Sequence, residues 1–266
     1  MRIRNTRKKS KSEKKLFASD ERIVMGRNCL NELFQHFPER IVRVFTTKSK
    51  ENSDSLVKKI LDRKIPIRFI DKQELFMMVE SESHQSFVAI VKKRPQTEPS
   101  EFLLRFQNKE SSLVLALDSI SDPQNLGALL RLGECFGADA VIWSKNRGVG
   151  LTPSVTKASV GASELVETMK VSNLAETIKK FKNAGYWIIA AELDKNAECL
   201  YSFTFPEKTL IVLGSEGKGI QKLISKNSDY KIFIPMQGKI SSLNVSQAAA
   251  VFLSHRQAQF AKLSFC

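Results

Sequence analysis

Three segments of the sequence combine polar side chains with glycines in a way that could support chemistry. They are DSISDPQNLGALLRLGECFG at 118–137, LIVLGSEGKGI at 210–220 and IPMQGKISSLNVSQAAAVFLSHRQ at 234–257. Each lies at the end of an apolar run that predicts a strand buried on both faces. Because ligands of parallel sheets bind at the carboxyl ends of the strands, we expect the three segments to form one pocket.

In the first segment, Asn125 and Arg131 are the polar residues that could act on a substrate. A structural interpretation fits the same residues: Asp122 caps a helix, Gly127 allows close packing, and Arg131 is a solvated surface charge. Arg131 stands among leucines, however, which is unusual for a solvated charge. The segment by itself leaves both interpretations open.

In the second segment, Gly214, Gly217 and Gly219 follow a buried strand at once. They predict a tight turn that lets another molecule approach the backbone. The spacing matches neither G-x-x-x-x-G-K-[ST] nor G-x-G-x-x-G, and Glu216 would repel a phosphate. The pattern favours a ligand with hydroxyls, amines or a positive charge, and a plain strand-to-helix turn is the alternative.

In the third segment, Asn244 and Gln247 have the spacing of a capping box, and the alanine-rich helix behind them is predicted to be buried. Ser242 and Asn244 could therefore be helix caps and no more. The preceding stretch, with Pro235, Gly238 and two serines, instead predicts a shaped loop at a strand end.

The charge of the chain points to a polyanionic partner. There are 42 Lys and Arg against 28 Asp and Glu in 266 residues, a net charge of +14. Residues 1–15 hold eight of these basic residues against the single Glu13, which predicts a flexible tail. Its functional interpretation is an electrostatic arm for nucleic acid, and the alternative is a solubilising terminus.

Several classes of protein are excluded by composition. The four cysteines form no C-x-x-C pair and there are three histidines, so zinc sites and disulfide frameworks have no support and we expect no metal. The longest apolar runs are strand-sized, too short to span a bilayer. With no apolar stretch behind the charged N-terminus, we expect a cytoplasmic location and no membrane partner.

The elements that must position the three segments form an α/β pattern. Residues 20–92 alternate between helical and strand patterns and predict a smaller N-terminal α/β domain after a tail at 1–19. Residues 93–110 are predicted to be a linker, with a short helix possible at 103–106. In residues 111–266, continuous apolar runs alternate with helical segments and predict a second domain with a mostly parallel sheet.

Together the three segments resemble the signature motifs of the SpoU/TrmH family of RNA ribose 2'-O-methyltransferases, within the SPOUT superfamily. The matching stretches are NLGALLR at 125–131, LGSEGKG at 213–219 and IPMQGKISSLNVS at 234–246. The first half is similar to a ribosomal-protein-like substrate-binding domain, through GRNCLNELF at 26–34 and SHQSFVAIV at 83–91. Where the family often has His-Gln-Gly, this chain has Ser86.

The resemblance implies a trefoil-knotted α/β fold whose second and third loops bind S-adenosylmethionine at the interface of a homodimer. It implies cofactor contacts mainly through the backbone of Gly214, Ile234 and Leu243, with Met236 close by. The polar active-site set that it implies is Asn125, Arg131, Glu216, Ser242 and Asn244. Because a guanidinium is hardly ever neutral, we interpret Arg131 as an electrostatic stabiliser of the developing alkoxide and not as a base.

The expected function is therefore transfer of a methyl group from S-adenosylmethionine to a ribose 2'-hydroxyl of RNA. The two-domain layout favours ribosomal RNA of the large subunit over transfer RNA, by analogy alone. The alternatives are a transfer RNA methyltransferase and a non-catalytic RNA-binding or ribosome-assembly protein that keeps the fold.

Overall fold

The computed structural model describes residues 18–50 and 54–260. The basic segment 1–15 lies outside the described residues, and its role as an arm for nucleic acid stays a prediction. No helix among the described residues has the length and apolar character needed to cross a membrane.

Residues 21–92 form a four-stranded mixed sheet with three helices. In chain order these are β1 (Glu21–Met25), α1 (Arg27–His36), β2 (Ile41–Thr46), α2 (Ser55–Asp62), β3 (Ile67–Phe69), α3 (Lys72–Val79) and β4 (Phe87–Lys92). The strand order is β1-β4-β2-β3, with β4 antiparallel to both neighbours and β3 parallel to β2. The predicted alternation of helices and strands is confirmed, and β1 is a strand that the sequence patterns do not predict.

The stretch predicted to be a linker contains a helix, α4 (Pro99–Phe106). Its Phe102 is completely buried and stacks on Phe106 at 4.2 Å between ring centroids. Phe102 also packs against Phe181, at 5.7 Å. Side chains four residues apart share one face of a helix, so α4 attaches to the core of the large sheet. The domain boundaries themselves stay a prediction.

The remainder of the described chain builds a seven-stranded sheet with six helices. The strands are β5 (Ser112–Asp118), β6 (Ala140–Ser144), β7 (Thr168–Val171), β8 (Trp187–Ala191), β9 (Glu198–Cys199), β10 (Lys208–Gly214) and β11 (Tyr230–Phe233). The helices are α5 (Pro123–Cys135), α6 (Pro153–Ala158), α7 (Ala162–Leu165), α8 (Leu174–Asn183), α9 (Lys222–Asn227) and α10 (Val245–Phe260). The strand order is β7-β6-β5-β10-β8-β11-β9, and every neighbouring pair is parallel.

Both faces of this sheet are buried, as its apolar strands predict. Along β5, Leu115 and Leu117 pack into a core with α5 and α10, while Val114 and Ala116 face a second core with α4, α8 and α9. Alternate side chains of a strand point to opposite faces, so a strand covered on both sides needs an unbroken apolar run. The mostly parallel α/β sheet is confirmed, and the knot stays a prediction.

The strand order decides where the three segments meet. β10 lies between β5 and β8, and Gly214 at its end is in register with Asp118 at the end of β5. β11 lies on the other side of β8. Since all these strands are parallel, the loops after β5, β10 and β11 leave the same edge of the sheet.

The two sheets are joined by a buried ionic contact. Glu164 of α7 is completely buried, pairs with Arg22 of β1, and accepts a hydrogen bond of 2.9 Å from Arg40. The contact connects the N-terminal sheet to the helices that cover the large one. Without Glu164, the two guanidiniums would lose their carboxylate partner. Without the two arginines, the carboxylate would be buried and unpaired.

Candidate active site

One residue from each of the three segments joins a shared hydrogen-bond network. Asn125 Nδ2 donates to Glu216 Oε1 at 3.0 Å, and Asn244 Nδ2 donates to the same oxygen at 2.6 Å. Asn244 Nδ2 also donates to Asn125 Oδ1 at 2.9 Å. The predicted meeting of the three loops is thereby confirmed, and each amide is held by the other two segments.

Helix caps place the two asparagines. Asp122 is the N-cap of α5 and accepts from the backbone of Gln124 and Asn125, which fixes Asn125 in the first turn. Asn244 Oδ1 accepts from Ser246 N at 2.8 Å at the start of α10. The capping and functional interpretations of Asn244 are therefore compatible, because its oxygen caps the helix while its nitrogen joins the network.

The glycine segment forms a closed turn. Gly219 N donates to Ser215 O at 2.9 Å, and Gly217 and Gly219 have φ of 80° and 63°, which favour glycine. A Cβ on Gly214 would lie 2.3 Å from the carbonyl carbon of Gly219. The backbone of the turn thus occupies the space where any side chain at position 214 would begin.

A buried carboxylate that the sequence analysis does not assign to the site holds the far end of this turn. Asp118 is completely buried and accepts from Gln221 N at 2.7 Å and from Gln221 Nε2 at 2.6 Å. Ser119 Oγ donates to it at 2.9 Å. An acidic residue at the end of an apolar strand is the signal that could have identified it, since a buried carboxylate needs donors.

A cavity of about 520 Å³ lies beside the network, within the range of small-molecule sites. Among the predicted residues, it is lined by Gly214, Glu216, Ser242, Leu243 and Asn244. Ala191 at the end of β8 also lines it, although the sequence analysis does not assign it. A cavity of this size, with the carboxylate of Glu216 as the charged group of its lining, suits a cationic cofactor of the size of S-adenosylmethionine.

Four of the predicted residues do not line this cavity, and one of them, Asn125, contacts it only through the network with Glu216 and Asn244. Arg131 is exposed and makes no hydrogen bond or ion pair with the residues that the structure describes. It lies six residues beyond Asn125, about 9 Å further along α5. Ile234 packs against the core beneath the loops, and Met236 is exposed. The roles of all nine predicted residues stay predictions.

Within residues 18–50 and 54–260, no group of three or more His, Cys, Asp or Glu side chains has the geometry of a metal site.

Comparison with known proteins gives two family matches along the chain. Residues 112–254, more than half of the chain, match the SpoU rRNA Methylase family. Residues 23–97 match the family described as RNA 2'-O ribose methyltransferase substrate binding.

Individual relatives are similar over most of the chain. A 23S rRNA (guanosine-2'-O-)-methyltransferase of Haemophilus influenzae is 33% identical over 86% of this chain and 94% of its own length. A Staphylococcus aureus protein named for the TrmH family of tRNA/rRNA methyltransferases is 34% identical over 88% of this chain and 94% of its own. The SpoU methyltransferase AviRb of Streptomyces viridochromogenes, solved with the cofactor AdoMet, has a TM-score of 0.75 at 22% identity, covering 91% of both chains.

Proposed function

The chain belongs to the SpoU rRNA methylase family, and from that premise we propose that it transfers a methyl group from S-adenosylmethionine to a ribose 2'-hydroxyl of large-subunit ribosomal RNA. The observation that carries the proposal is the network of Asn125, Glu216 and Asn244 beside the cavity at the strand ends. It joins the three motifs of the family in a single site.

The cofactor site that we propose uses loop backbone and one carboxylate. When bound, S-adenosylmethionine supplies a methyl group that its sulfonium has already activated. Gly214, Ile234 and Leu243 would contact the cofactor mainly through their backbone, with Met236 close by. The negative charge of Glu216 favours a cationic ligand in this cavity.

The remaining task is to align the ribose and stabilise the oxygen as its proton leaves. Four residues would orient the ribose and hold the loops, which lowers the entropic cost of alignment: Asn125, Glu216, Ser242 and Asn244. Arg131 would stabilise the developing alkoxide, since a guanidinium offers a positive charge and several donors in one plane. As Arg131 lies outside the lining of the cavity, this role requires the substrate or a second subunit to bring the reacting hydroxyl to it.

We further propose that the chain acts as a homodimer in the cytoplasm. Leu193 and Ile240, on loops at the same edge of the sheet as the cavity, are 76% and 78% exposed. Burial of these apolar side chains against a second copy of the chain would be favourable. A second copy that covered them would also enclose the cofactor cavity.

Two measurements test the proposal. Calorimetric titration should give about one S-adenosylmethionine per subunit, and absence of binding by the folded protein would favour a non-catalytic RNA-binding protein. Ribose methylation should then be mapped across ribosomal and transfer RNA from cells with and without the gene. We expect loss of a single site in large-subunit ribosomal RNA. Loss of a site in transfer RNA would instead favour a transfer RNA methyltransferase, a substrate that the name of the Staphylococcus aureus relative also includes.

A further inference from the structure

A second cavity lies at the junction of the two sheets, away from the candidate active site. This junction cavity has a volume of about 280 Å³. Arg22 of β1 and the segment 93–97 after β4 form one wall, while Thr168 and Lys170 of β7 contribute to the other. Both halves of the molecule are therefore needed to form it.

The lining of the junction cavity carries a positive excess. Arg22, Lys93, Arg94 and Lys170 line it, with Glu167 as the carboxylate of the lining. That carboxylate is already paired with Arg105, outside the cavity. The carboxylate of the lining is therefore already engaged by a cation outside the cavity, and the lining keeps an excess of positive charge.

The neighbouring ion pairs do not neutralise this excess. Glu164 is shared between Arg22 and Arg40, and one terminal nitrogen of each of these guanidiniums is buried without a hydrogen-bond partner among the described residues. Burial and the charge of Arg40 lower the pKa of Arg94, and burial and Lys145 lower the pKa of Lys170. In both groups burial disfavours the charged form first and a neighbouring cation adds to it, and a bound anion would offset both effects.

We propose that the junction cavity binds a phosphodiester group of the RNA substrate, an inference that rests on the proposed function. Planar guanidiniums and lysine ammonium groups in one small cavity form the donor set that recognises phosphate oxygens. β7 is the edge strand, three strand spacings or about 14 Å from β10, whose end lines the cofactor cavity. This lateral separation is short enough that we expect one strand of RNA to contact both cavities.

The test removes the two lysines, because Arg22 and Arg94 also support the fold. Arg94, for example, donates to the carbonyl oxygens of Glu164, Leu165 and Val166. Affinity for a ribosomal RNA fragment should be measured by fluorescence anisotropy at several salt concentrations. The variant is the double substitution Lys93→Gln and Lys170→Gln, and the matched control is Lys179→Gln with Lys180→Gln, which removes two exposed charges from α8.

We expect the junction variant to lose about tenfold in RNA affinity, as for loss of a charge-assisted hydrogen bond. The slope of log affinity against log salt should fall by about 0.7, the value for one phosphate on a single strand. The control should retain the wild-type slope. Equal slopes for the wild type and the junction variant would overturn the proposal.

Two further readouts distinguish RNA from free phosphate and the junction cavity from the cofactor cavity. If inorganic phosphate raises the melting temperature of the wild type but not of the junction variant, while RNA slopes stay equal, the cavity binds free phosphate and the RNA assignment is wrong. Calorimetry with S-adenosylmethionine should give wild-type affinity for the junction variant. The two proposals can also fail separately. If the salt dependence of RNA affinity is weaker in the junction variant but the wild type binds no S-adenosylmethionine, the phosphate site is supported and the proposed methyl transfer is rejected.

Discussion

At the scale of single residues, the guanidinium of Arg131 combines exposure with a proposed role at the reacting oxygen. Arg131→Lys keeps the charge but loses the planar arrangement of donors. We expect turnover to fall by at least about a hundredfold, as for one preorganised donor to an oxyanion, with cofactor affinity unchanged. Single-turnover methylation and calorimetry measure the two quantities. Near-normal turnover would show that Arg131 is a solvated surface charge.

The second prediction at this scale concerns Gly214, whose Cα lies against the backbone of Gly219 and Ile220. In Gly214→Ala the new Cβ would overlap the carbonyl carbon of Gly219, so the turn must open. We expect S-adenosylmethionine binding to become undetectable by calorimetry while the protein remains folded by circular dichroism.

The control for Gly214→Ala is a glycine at which an added Cβ strains the backbone conformation but contacts no other atom. Gly137 has φ of 65°, and its added Cβ would meet no atom within 4 Å. Gly137→Ala should lose about 1 kcal/mol of unfolding free energy and keep wild-type cofactor affinity. Retained binding by Gly214→Ala would mean that the turn is looser than its contacts indicate.

At the scale of elements, the start of α10 depends on the same side chain as the hydrogen-bond network. Asn244→Ser keeps a capping oxygen but removes the nitrogen that reaches Asn125 and Glu216. We expect unfolding free energy within about 0.5 kcal/mol of wild type and turnover reduced about tenfold or more. Asn244→Ala should lose the activity and about 1 kcal/mol of stability as well. Equal stability of the two variants in urea unfolding would show that the cap contributes little.

The backbone conformation of the turn before β4 explains why the family pattern has glycine where this chain has Ser86. Ser86 has φ of 66°, a left-handed conformation that disfavours side chains with a Cβ. Ser86→Gly should therefore raise the unfolding free energy by about 0.5 kcal/mol. Ser83, whose φ is not positive, provides the comparison, because Ser83→Gly should gain nothing. A loss of stability in Ser86→Gly would contradict the strain at this turn.

At the scale of the whole molecule, the buried Glu164 couples the two sheets. Glu164→Gln removes the charge between Arg22 and Arg40, and we expect it to lower the unfolding free energy by about 3–5 kcal/mol. Glu167→Gln is the matched control, since its partner Arg105 is half exposed, and it should lose no more than about 1 kcal/mol. Urea unfolding measures both, and equal losses would mean that the buried contact does not hold the sheets together.

Much of the fold and the site follows from local patterns in the sequence. The apolar run at 112–118 predicts a strand covered on both faces, and Asp122 and Asn244 predict helix starts, because these features depend on neighbouring residues alone. The α/β class, the mostly parallel sheet and the meeting of the three loops were therefore predictable.

Contacts between distant residues were decided by the tertiary structure alone. The pairing of Asp118 with Gln221, the attachment of α4 through Phe102, and the burial of Glu164 between two arginines each join side chains far apart in the chain. No periodicity records such pairs, since they arise only when strand order brings separate segments together. The sequence by itself determined which residue types could form a methyltransferase site. The tertiary structure decided that Asn125, Glu216 and Asn244 are in contact and that Arg131 lies outside the cavity. The reason is that distances between side chains depend on how the elements pack.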